Sequence, residues 1–408
     1  MNGIYKALRF IFERFYCKDT KLIYDFLIDD GNAYHHLPSP EDIEKQHPNP
    51  CGWGVGMEDS VLNGGSVIDA LVGHFEVTKD PWAKKVCLDI FEGMMLCATV
   101  SKEKGFIARS VSPVDKKSHY FNSSRDQYTH WVYAAVRLFG SPVADDKVRE
   151  DIRSVVVSVA EKCLRDVTEE NGFELLRADR KAGTVSKMWG ELWPHEYLRL
   201  PMFYMAAYFV SGDEKWKTEA DKYRFEALKK TKAFDPTRHS TYVLLQLQYS
   251  LRFMCDICPE ETFKAECKAL IDMLAEYGEK NLPYACKRLE EIGRLDFRYK
   301  KWDACSWVDC GNFGGYKYLN PAQSELKENT SFYPLRAVGE LASLVALRYE
   351  KPVDADILIL LDDLAGGLDY DNHYTYAPLL LACGYMLCEE NLYKNKKESD
   401  YELYSKRQ

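Results

Sequence analysis

The sequence predicts an all-α protein in which helical hairpins form an (α/α)6 toroid, with irregular loops at the mouth of the site. Apolar residues recur at helical spacing along almost the whole chain. A junction also recurs, in which an apolar helix ends in a small turn and an acidic residue precedes the next helix: Asp80, Asp145, Asp213 and Asp354. The first three lie roughly 67 residues apart, and 408 residues are close to six such units. Hairpins of this length and number favour a closed toroid over a bundle.

We predict a helix wherever apolar residues keep helical spacing without interruption. After an amphipathic start and a loop rich in Pro, His and Gly, the predicted helices are 59–77, 82–100, 124–139, 145–167, 194–210, 213–231, 239–254, 259–277, 330–349, 354–364 and 374–389. Strand signals are weak, and the region 287–330 is irregular. We therefore expect one toroidal domain over 1–390 and a charged C-terminal tail over 391–408.

The composition excludes several classes of function. The formal net charge is −9 and no basic block interrupts the chain, so we expect no nucleic-acid partner. The longest apolar runs are far too short to cross a membrane. The N-terminal stretch lacks an uninterrupted apolar core and a small-residue cleavage site, which favours a cytoplasmic protein, or a periplasmic one whose export signal has been removed.

The cysteine pattern favours a reducing compartment. The 13 cysteines are an odd number and lie mostly on apolar faces. Cys255 and Cys258 form a C-x-x-C pair, but no second pair and no histidine pair lies at metal-binding spacing. We therefore expect no structural disulfide, no metal and no other cofactor.

Residues 105–133 contain the densest set of chemically capable side chains. Ser124 and Gln127 have the spacing of a capping box, which makes Ser124 the expected N-cap of a helix. Asp126 then lies in the first helical turn, and His130 follows one turn later on the same face. Both are candidate catalytic residues. The structural alternative is that Asp126 caps its helix and His130 is a hydrogen-bonded core histidine.

A second group of acids lies in residues 51–65. Glu58 and Asp59 follow a Gly-rich stretch and precede a helix, so they are candidate catalytic acids or, equally, helix caps. Two glycines inside that helix indicate the close approach of another helix or of a ligand. Because this stretch and residues 105–133 both precede apolar helices, we expect them to meet at the mouth of the toroid. Further candidate substrate contacts here are Trp53 and Asn63.

Two more clusters contain candidate sugar contacts. Glu191, Trp193 and His195 precede a helix, and Trp193 has the flat apolar ring that suits the floor of a sugar subsite. Tyr316 belongs to the segment 302–333, which is rich in glycine and aromatic residues. The alternative for both clusters is a packed loop that binds no ligand.

The loop before the Asp126 helix is locally basic in an acidic protein. Arginine side chains bind carboxylates in a bidentate manner, so this loop favours an acidic sugar as substrate. The lysine pair 116–117 is interpreted as a solvated turn. The candidate substrate contacts in this loop are Arg109, His119, Tyr120, Asn122 and Arg125.

The hairpin period, its junctions and the Ser-Ser-Arg-Asp-Gln loop at 123–127 resemble the six-hairpin glycosidase superfamily. The resemblance covers most of the chain. It implies a carbohydrate-active enzyme, usually a hydrolase that works with two carboxylates and less often a polysaccharide lyase. Unsaturated glucuronyl hydrolases and exo-acting glucuronidases are among the relatives that it implies.

Three functional hypotheses remain open at this point. The leading one is a glycoside hydrolase acting on oligosaccharides, including those that contain uronic acid, by carboxylate acid/base catalysis. The aromatic neighbours of Asp126 favour poor hydration and hence an acid role for it, whereas the helix terminus would lower its pKa and make it a base that activates water. The second is a polysaccharide lyase with a Tyr or His base and an Asn or Arg that neutralises a uronate. The residues available for this chemistry are Tyr120, Asn122, Arg125 and His130. The third is a glycan-binding toroid without catalysis.

Overall fold

The structure, a computed structural model, describes residues 2–28, 34–292, 301–322 and 332–395. Helices make up 61% and strands 5%, which confirms the all-α prediction. Within the described ranges, no helix is long and apolar enough to span a membrane. In the same part of the chain, no group of three or more His, Cys, Asp or Glu side chains is placed to hold a metal ion. The 13 cysteines are free thiols.

The helices of the described chain are α1 (Asn2–Arg14), α2 (Pro40–Glu44), α3 (Ser60–Thr78), α4 (Pro81–Thr99), α5 (Arg125–Phe139), α6 (Asp146–Asp166), α7 (Arg199–Ser211), α8 (Glu214–Asp221), α9 (Arg224–Thr231), α10 (Thr241–Ile257), α11 (Glu261–Ile292), α12 (Phe332–Ala346), α13 (Ala355–Gly367) and α14 (Ala377–Asn395). Strands β1 (Trp307–Phe313) and β2 (Tyr316–Pro321) form an antiparallel hairpin between α11 and α12.

The acidic residues of the recurring junction are N-caps. The carboxylates of Asp80, Asp145, Asp213 and Asp354 each accept a hydrogen bond from a backbone N–H in the first turn of the following helix, at 2.8–3.1 Å. An N-cap acceptor of this kind stabilises a helix by about 1 kcal/mol. The repeated sequence junction therefore marks a repeated structural event, the start of α4, α6, α8 and α13.

Helices α3, α5, α7, α10, α12 and α14 are buried on almost every side. Helix α3 packs against α5 and α14, α7 against α5 and α10, and α12 against α10 and α14; α5 and α10 also pack against each other. The other long helices bury one face only; α4 packs on α3, α6 on α5 and α7, α11 on α10 and α12, and α13 on α14. The core therefore lies among the six buried helices.

The two glycines of α3 serve helix packing. A Cβ on Gly65 would lie 2.8 Å from the carbonyl oxygen of His130 in α5, and one on Gly64 would lie 3.1 Å from Met94 in α4. Of the two alternatives open from the sequence, close approach of a helix is therefore the one observed.

Several element boundaries differ from the predictions. The expected helix 213–231 is divided into α8 and α9, and α11 continues to Ile292. The irregular region contains the β1–β2 hairpin, whose two-residue turn, Gly314–Gly315, has positive φ at both positions, as a type I′ turn requires.

The predicted boundary between the toroidal domain and the tail falls inside a helix. Helix α14 continues to Asn395, five residues past position 390. Asn391 is buried; its side chain donates to the carbonyl of Ala346 at 2.9 Å and accepts from the backbone N–H of Val353 at 2.9 Å. The predicted tail begins too early because Asn391 ties the helix end to the neighbouring loop. Residues 396–408 lie outside the described residues.

Candidate functional site

A cavity of about 800 Å³ opens where residues 51–65 and 105–133 meet, so these two stretches come together as predicted. Their position at the mouth of a toroid stays a prediction. The β-hairpin forms part of its wall through Val308 and Pro321. Its acidic lining residues are Asp25, Glu58, Asp59, Asp126 and Glu340, its arginines are Arg109 and Arg336, and its aromatic residues include Phe26, Trp53, Tyr242, Phe332, Tyr333 and Tyr376.

Helix N-termini surround this cavity. Four of its lining residues lie at the starts of helices: Asp59 at α3, Asp126 at α5, Thr241 at α10 and Phe332 at α12. Tyr376 directly precedes α14. The first turns of helices carry unpaired N–H groups and the positive end of the helix dipole. A carboxylate that lies in such a first turn, as Asp126 does in α5, is therefore favoured in its ionised form.

Asp25 holds the backbone that carries the acid pair. Its Oδ2 accepts from the N–H of Glu58 at 2.5 Å, and its Oδ1 accepts from the N–H of Asp59 at 2.9 Å. Asp59 occupies the N-cap position of α3, but its own side chain makes no capping hydrogen bond. The first-turn N–H groups of α3 are capped from another segment: that of Val61 donates to the carbonyl of Arg109 at 3.2 Å, and that of Leu62 donates to Oε1 of Gln127 at 3.1 Å. Asp25 fixes the two residues that precede the helix.

Glu58 has the properties of a proton donor. Burial and the neighbouring charge of Asp59 raise the pKa of Glu58 to about 7, although Arg109 and Arg336 act in the opposite direction. The backbone N–H of Gly54 approaches its Oε2 at 3.4 Å. A carboxyl group with this pKa is protonated in a substantial fraction of molecules at neutral pH.

Asp59 is fixed from three sides. Gln127 donates to its Oδ1 at 3.0 Å, Tyr376 donates to its Oδ2 at 3.3 Å, and Arg109 lies 3.9 Å from Oδ1. The predicted capping box is wrong for this reason. Ser124 is the N-cap of α5 without a side-chain capping bond, because Gln127 bridges to α3 and does not reach back to Ser124.

Asp126 is paired with a buried arginine. Its Oδ1 accepts from Nη1 of Arg199 at 2.8 Å, and Nη2 of Arg199 donates to Gln246 at 2.6 Å. Within the described residues, Oδ2 of Asp126 makes no hydrogen bond, and the side chain is 22% exposed. One carboxylate oxygen is therefore available to a ligand in the cavity.

The acid role favoured for Asp126 is not supported by its surroundings. Burial alone would raise its pKa, but the charges of Arg199, Arg125 and Arg109 outweigh burial and lower the pKa below its ordinary value. Asp126 is therefore ionised at neutral pH, whereas the raised pKa of Glu58 leaves that carboxyl group partly protonated.

His130 is a core histidine. Its Nδ1 lies 3.0 Å from the carbonyl oxygen of Asp126, and its ring packs edge-on against Tyr249 at 5.5 Å. Burial lowers its pKa to about 4, so the ring is neutral. It does not line the cavity, and the structural alternative describes it better than a catalytic role.

Most of the basic loop lies away from the cavity. The hydroxyl of Tyr120 donates to the carbonyl of His47 at 2.8 Å, and the amide of Asn122 donates to Cys51 Sγ at 2.8 Å. Arg125 forms an ion pair with Glu196. These side chains hold loops together. From this loop, Arg109 lines the cavity, whereas His119, Tyr120, Asn122 and Arg125 do not.

The cluster of Glu191, Trp193 and His195 lies next to the cavity and contacts its lining residue His239. Trp193 is 59% exposed, and its ring lies edge-on at 5.8 Å to His239, which lines the cavity. His195 is buried 4.7 Å from His239, ring to ring. The exposed ring of Trp193 thus stands next to the opening, while His195 supports the loop and Glu191 is exposed outside the lining.

Two other predicted contacts are structural. Tyr316 lies beneath the guanidinium of Arg177, 4.3 Å from its ring centroid, and fastens the β-hairpin to the loop before α7. Asn63 is fully buried inside α3 and does not line the cavity. Of the predicted residues, those that the cavity brings together are Trp53, Glu58, Asp59, Arg109 and Asp126.

Sequence reasoning missed several cavity residues. Asp25 is a single acid inside a short apolar run, Leu22–Leu27, which is a recognisable signal because a buried carboxylate needs partners. Arg336 and Glu340 are four residues apart on α12 and bond at 2.7 Å, a pairing that helical spacing indicates. Tyr376, which donates to Asp59, has no comparable sequence signal.

The cavity thus combines a carboxyl group with a raised pKa, an ionised carboxylate, aromatic rings and two arginines in one space. No protein-family model matches the chain, and no curated protein matches it.

Proposed function

We propose that the protein is a glycoside hydrolase that acts on oligosaccharides, with Glu58 as the general acid and Asp126 as the carboxylate partner. The observation that supports this most directly is the shared cavity, in which the pKa of Glu58 is raised to about 7 and that of Asp126 is lowered. Glycosidic cleavage needs both states at once, a protonated group for the leaving oxygen and an ionised group opposite it.

The proposed chemistry follows from these two states. Glu58 gives its proton to the oxygen of the departing sugar, which avoids expulsion of an alkoxide. Asp126 either removes a proton from an attacking water molecule or attacks the anomeric carbon itself, depending on the separation of the two carboxyl groups around the substrate. Asp59, held by Gln127 and Tyr376, stabilises the positive charge that develops on the sugar ring and favours the protonated form of Glu58.

We also propose that the helices close into a single-domain (α/α)6 toroid. The packing of α3, α5, α7, α10, α12 and α14 supports an inner ring, since the successive pairs of this set are in contact and α14 returns to α3; α5 and α10 also touch each other past α7. Residues at the starts of α3, α5, α10 and α12 line one cavity, which supports inner helices that run in the same direction. The mouth of such a ring is where loops and helix N-termini converge.

For the substrate, the lining supports a sugar ring with an acidic group as one candidate. The aromatic rings of Trp53, Tyr242 and Tyr333 offer flat apolar faces. Arg109 and Arg336 offer the cationic partners for a uronate. The uronic-acid proposal therefore depends on Arg109, which is the member of the basic loop that lines the cavity, and on Arg336 from α12.

The lyase alternative finds less support. The residues that it requires, Tyr120, Asn122, Arg125 and His130, are absent from the lining, and Tyr120, Asn122 and Arg125 have structural partners. Because the cavity has its own tyrosines, elimination remains a distinguishable outcome of the test.

The test is turnover of the purified protein on neutral and uronic-acid-containing oligosaccharides. We expect new reducing ends without the absorbance of a conjugated double bond, because hydrolysis creates no unsaturation. Products that carry this absorbance would identify a lyase. Saturable binding of the same oligosaccharides without any product would identify a glycan-binding protein.

A further inference from the structure

Asp25 stands outside every sequence motif and yet touches both halves of the acid pair. It is 4% exposed and lines the cavity. Its two carboxylate oxygens accept from consecutive backbone N–H groups, those of Glu58 and Asp59. A fork of this kind fixes the orientation of the intervening peptide, because each oxygen has its own donor.

The backbone of Asp25 extends the same connection to a third element. Its N–H donates to the carbonyl of Gly56 at 3.2 Å, and its carbonyl accepts from the N–H of Tyr376 at 3.1 Å. The hydroxyl of Tyr376 in turn donates to Asp59. One residue thus links the loop before α3 with the start of α14, on either side of the acid pair.

We propose that Asp25 is a positioning residue, whose carboxylate clamps the Glu58–Asp59 backbone so that Glu58 points its carboxyl group at the leaving oxygen. The proposal rests on the proposed hydrolase function. Burial and the charges of Asp59 and Glu58 raise the pKa of Asp25 well above its ordinary value, and its two backbone donors offset this only in part. The proposal stands on the geometry, in which Oδ1 and Oδ2 each accept from a backbone N–H. The other ionisable groups around the cluster are Arg109, Arg336 and Tyr376.

Asp25→Asn separates positioning from general support of the fold. The amide keeps one acceptor, but its NH2 group faces a backbone N–H, so one arm of the clamp is lost. We expect turnover of an oligosaccharide, whose leaving group needs protonation, to fall at least about 10-fold. Turnover of an aryl glycoside with a good leaving group should stay within about 3-fold of the wild-type rate, because cleavage of that substrate depends little on a general acid. KM should change little for either substrate.

Two further variants complete the experiment, one as a control and one as a second substitution of Asp25. Asp19→Asn, at an exposed carboxylate that pairs with Lys116, is the control and should leave both rates unchanged. Asp25→Glu keeps the carboxyl group with both oxygens but displaces them by a methylene group. If Asp25→Asn does not fold, the same selective loss on the oligosaccharide is expected for Asp25→Glu.

A readout without substrate keeps this proposal distinct from the hydrolase proposal. Amide protons bound to a carboxylate resonate downfield, so the ¹H–¹⁵N signals of Glu58 and Asp59 should move upfield in Asp25→Asn. Unchanged amide signals, or an equal loss on both glycosides, would overturn the positioning role. A wild-type protein that cleaves no glycoside would overturn the hydrolase proposal and the catalytic meaning of the clamp, while the amide signals would still decide whether the clamp exists.

Discussion

Replacing Glu58 by Gln is expected to reduce turnover of an oligosaccharide by about 100-fold or more, because the variant cannot protonate the leaving oxygen. The melting temperature should stay the same or rise slightly. Burial and Asp59 disfavour the ionised carboxylate of Glu58, and glutamine imitates its protonated form. Steady-state kinetics and thermal unfolding on the same preparation measure both effects.

The leaving group of the substrate provides an internal check on this result. The value of kcat/KM for an aryl glycoside with a good leaving group should fall much less in Glu58→Gln than kcat/KM for the oligosaccharide does, because this parameter reports cleavage of the glycosidic bond and not a later hydrolysis of a glycosyl-enzyme. The matched control is Glu226→Gln on α9, at a carboxylate that is 57% exposed and pairs with Lys230; it should leave both rates unchanged. Full oligosaccharide turnover in Glu58→Gln would show that Glu58 is not the acid.

Replacing Asp126 by Asn is expected to lower both turnover and stability. Turnover should fall by about 100-fold or more on either kind of glycoside, because the ionised carboxylate is needed whatever the leaving group. The free energy of unfolding at neutral pH should fall by about 1–3 kcal/mol, because buried Arg199 loses its charged partner and keeps only Gln246. Asparagine is also favourable near a helix start, but at position 126 it would still lower stability because of the lost ion pair.

The stability difference has a definite pH dependence. The pKa of Asp126 is lowered in the folded protein, so its ion pair stabilises the fold above the pKa of the unfolded chain, and this contribution is lost as the pH falls through the lowered pKa. The gap in urea-unfolding free energy between wild type and Asp126→Asn should therefore narrow below about pH 4. A gap that widens in acid would contradict the pairing.

Asp221→Asn separates the two effects of the Asp126 substitution. Asp221 pairs with Arg224, which is also buried and also has a second partner, Glu260, but it lies outside the cavity lining. Asp221→Asn should therefore have a lower free energy of unfolding than the wild type but the same turnover. If both variants lost turnover equally, the loss in Asp126→Asn would reflect the fold and not the chemistry.

The sequence predicts the local features of the fold well because they depend on neighbouring residues. The acidic junctions are N-caps, a contact between a side chain and the next turn, and helical periodicity places most helix boundaries within a few residues. The two glycines of α3 indicate a close approach for the same reason, although the partners, α4 for Gly64 and α5 for Gly65, are not visible in the local pattern.

The electrostatics of the site depend on distant residues and could not be predicted in the same way. Burial alone would raise the pKa of Asp126. The largest opposing effect comes from the charge of Arg199, which is 73 positions away in the chain. Gln127 has the spacing of a capping box but bonds to the start of α3. Asp25 reaches Glu58 across 33 positions. In each case a tertiary contact overrides the local pattern.

The pH dependence of kcat/KM for an unactivated oligosaccharide tests the division of roles between Glu58 and Asp126 most directly. This parameter reports the ionisation of the free enzyme. We expect it to fall as the pH rises through about 7, where Glu58 loses its proton, and to stay high in mild acid, where Asp126 remains ionised. The residual activity of Glu58→Gln should lack the alkaline fall. A wild-type profile that rises through pH 7, or an alkaline fall that persists unchanged in Glu58→Gln, would contradict the assignment of Glu58 as the acid.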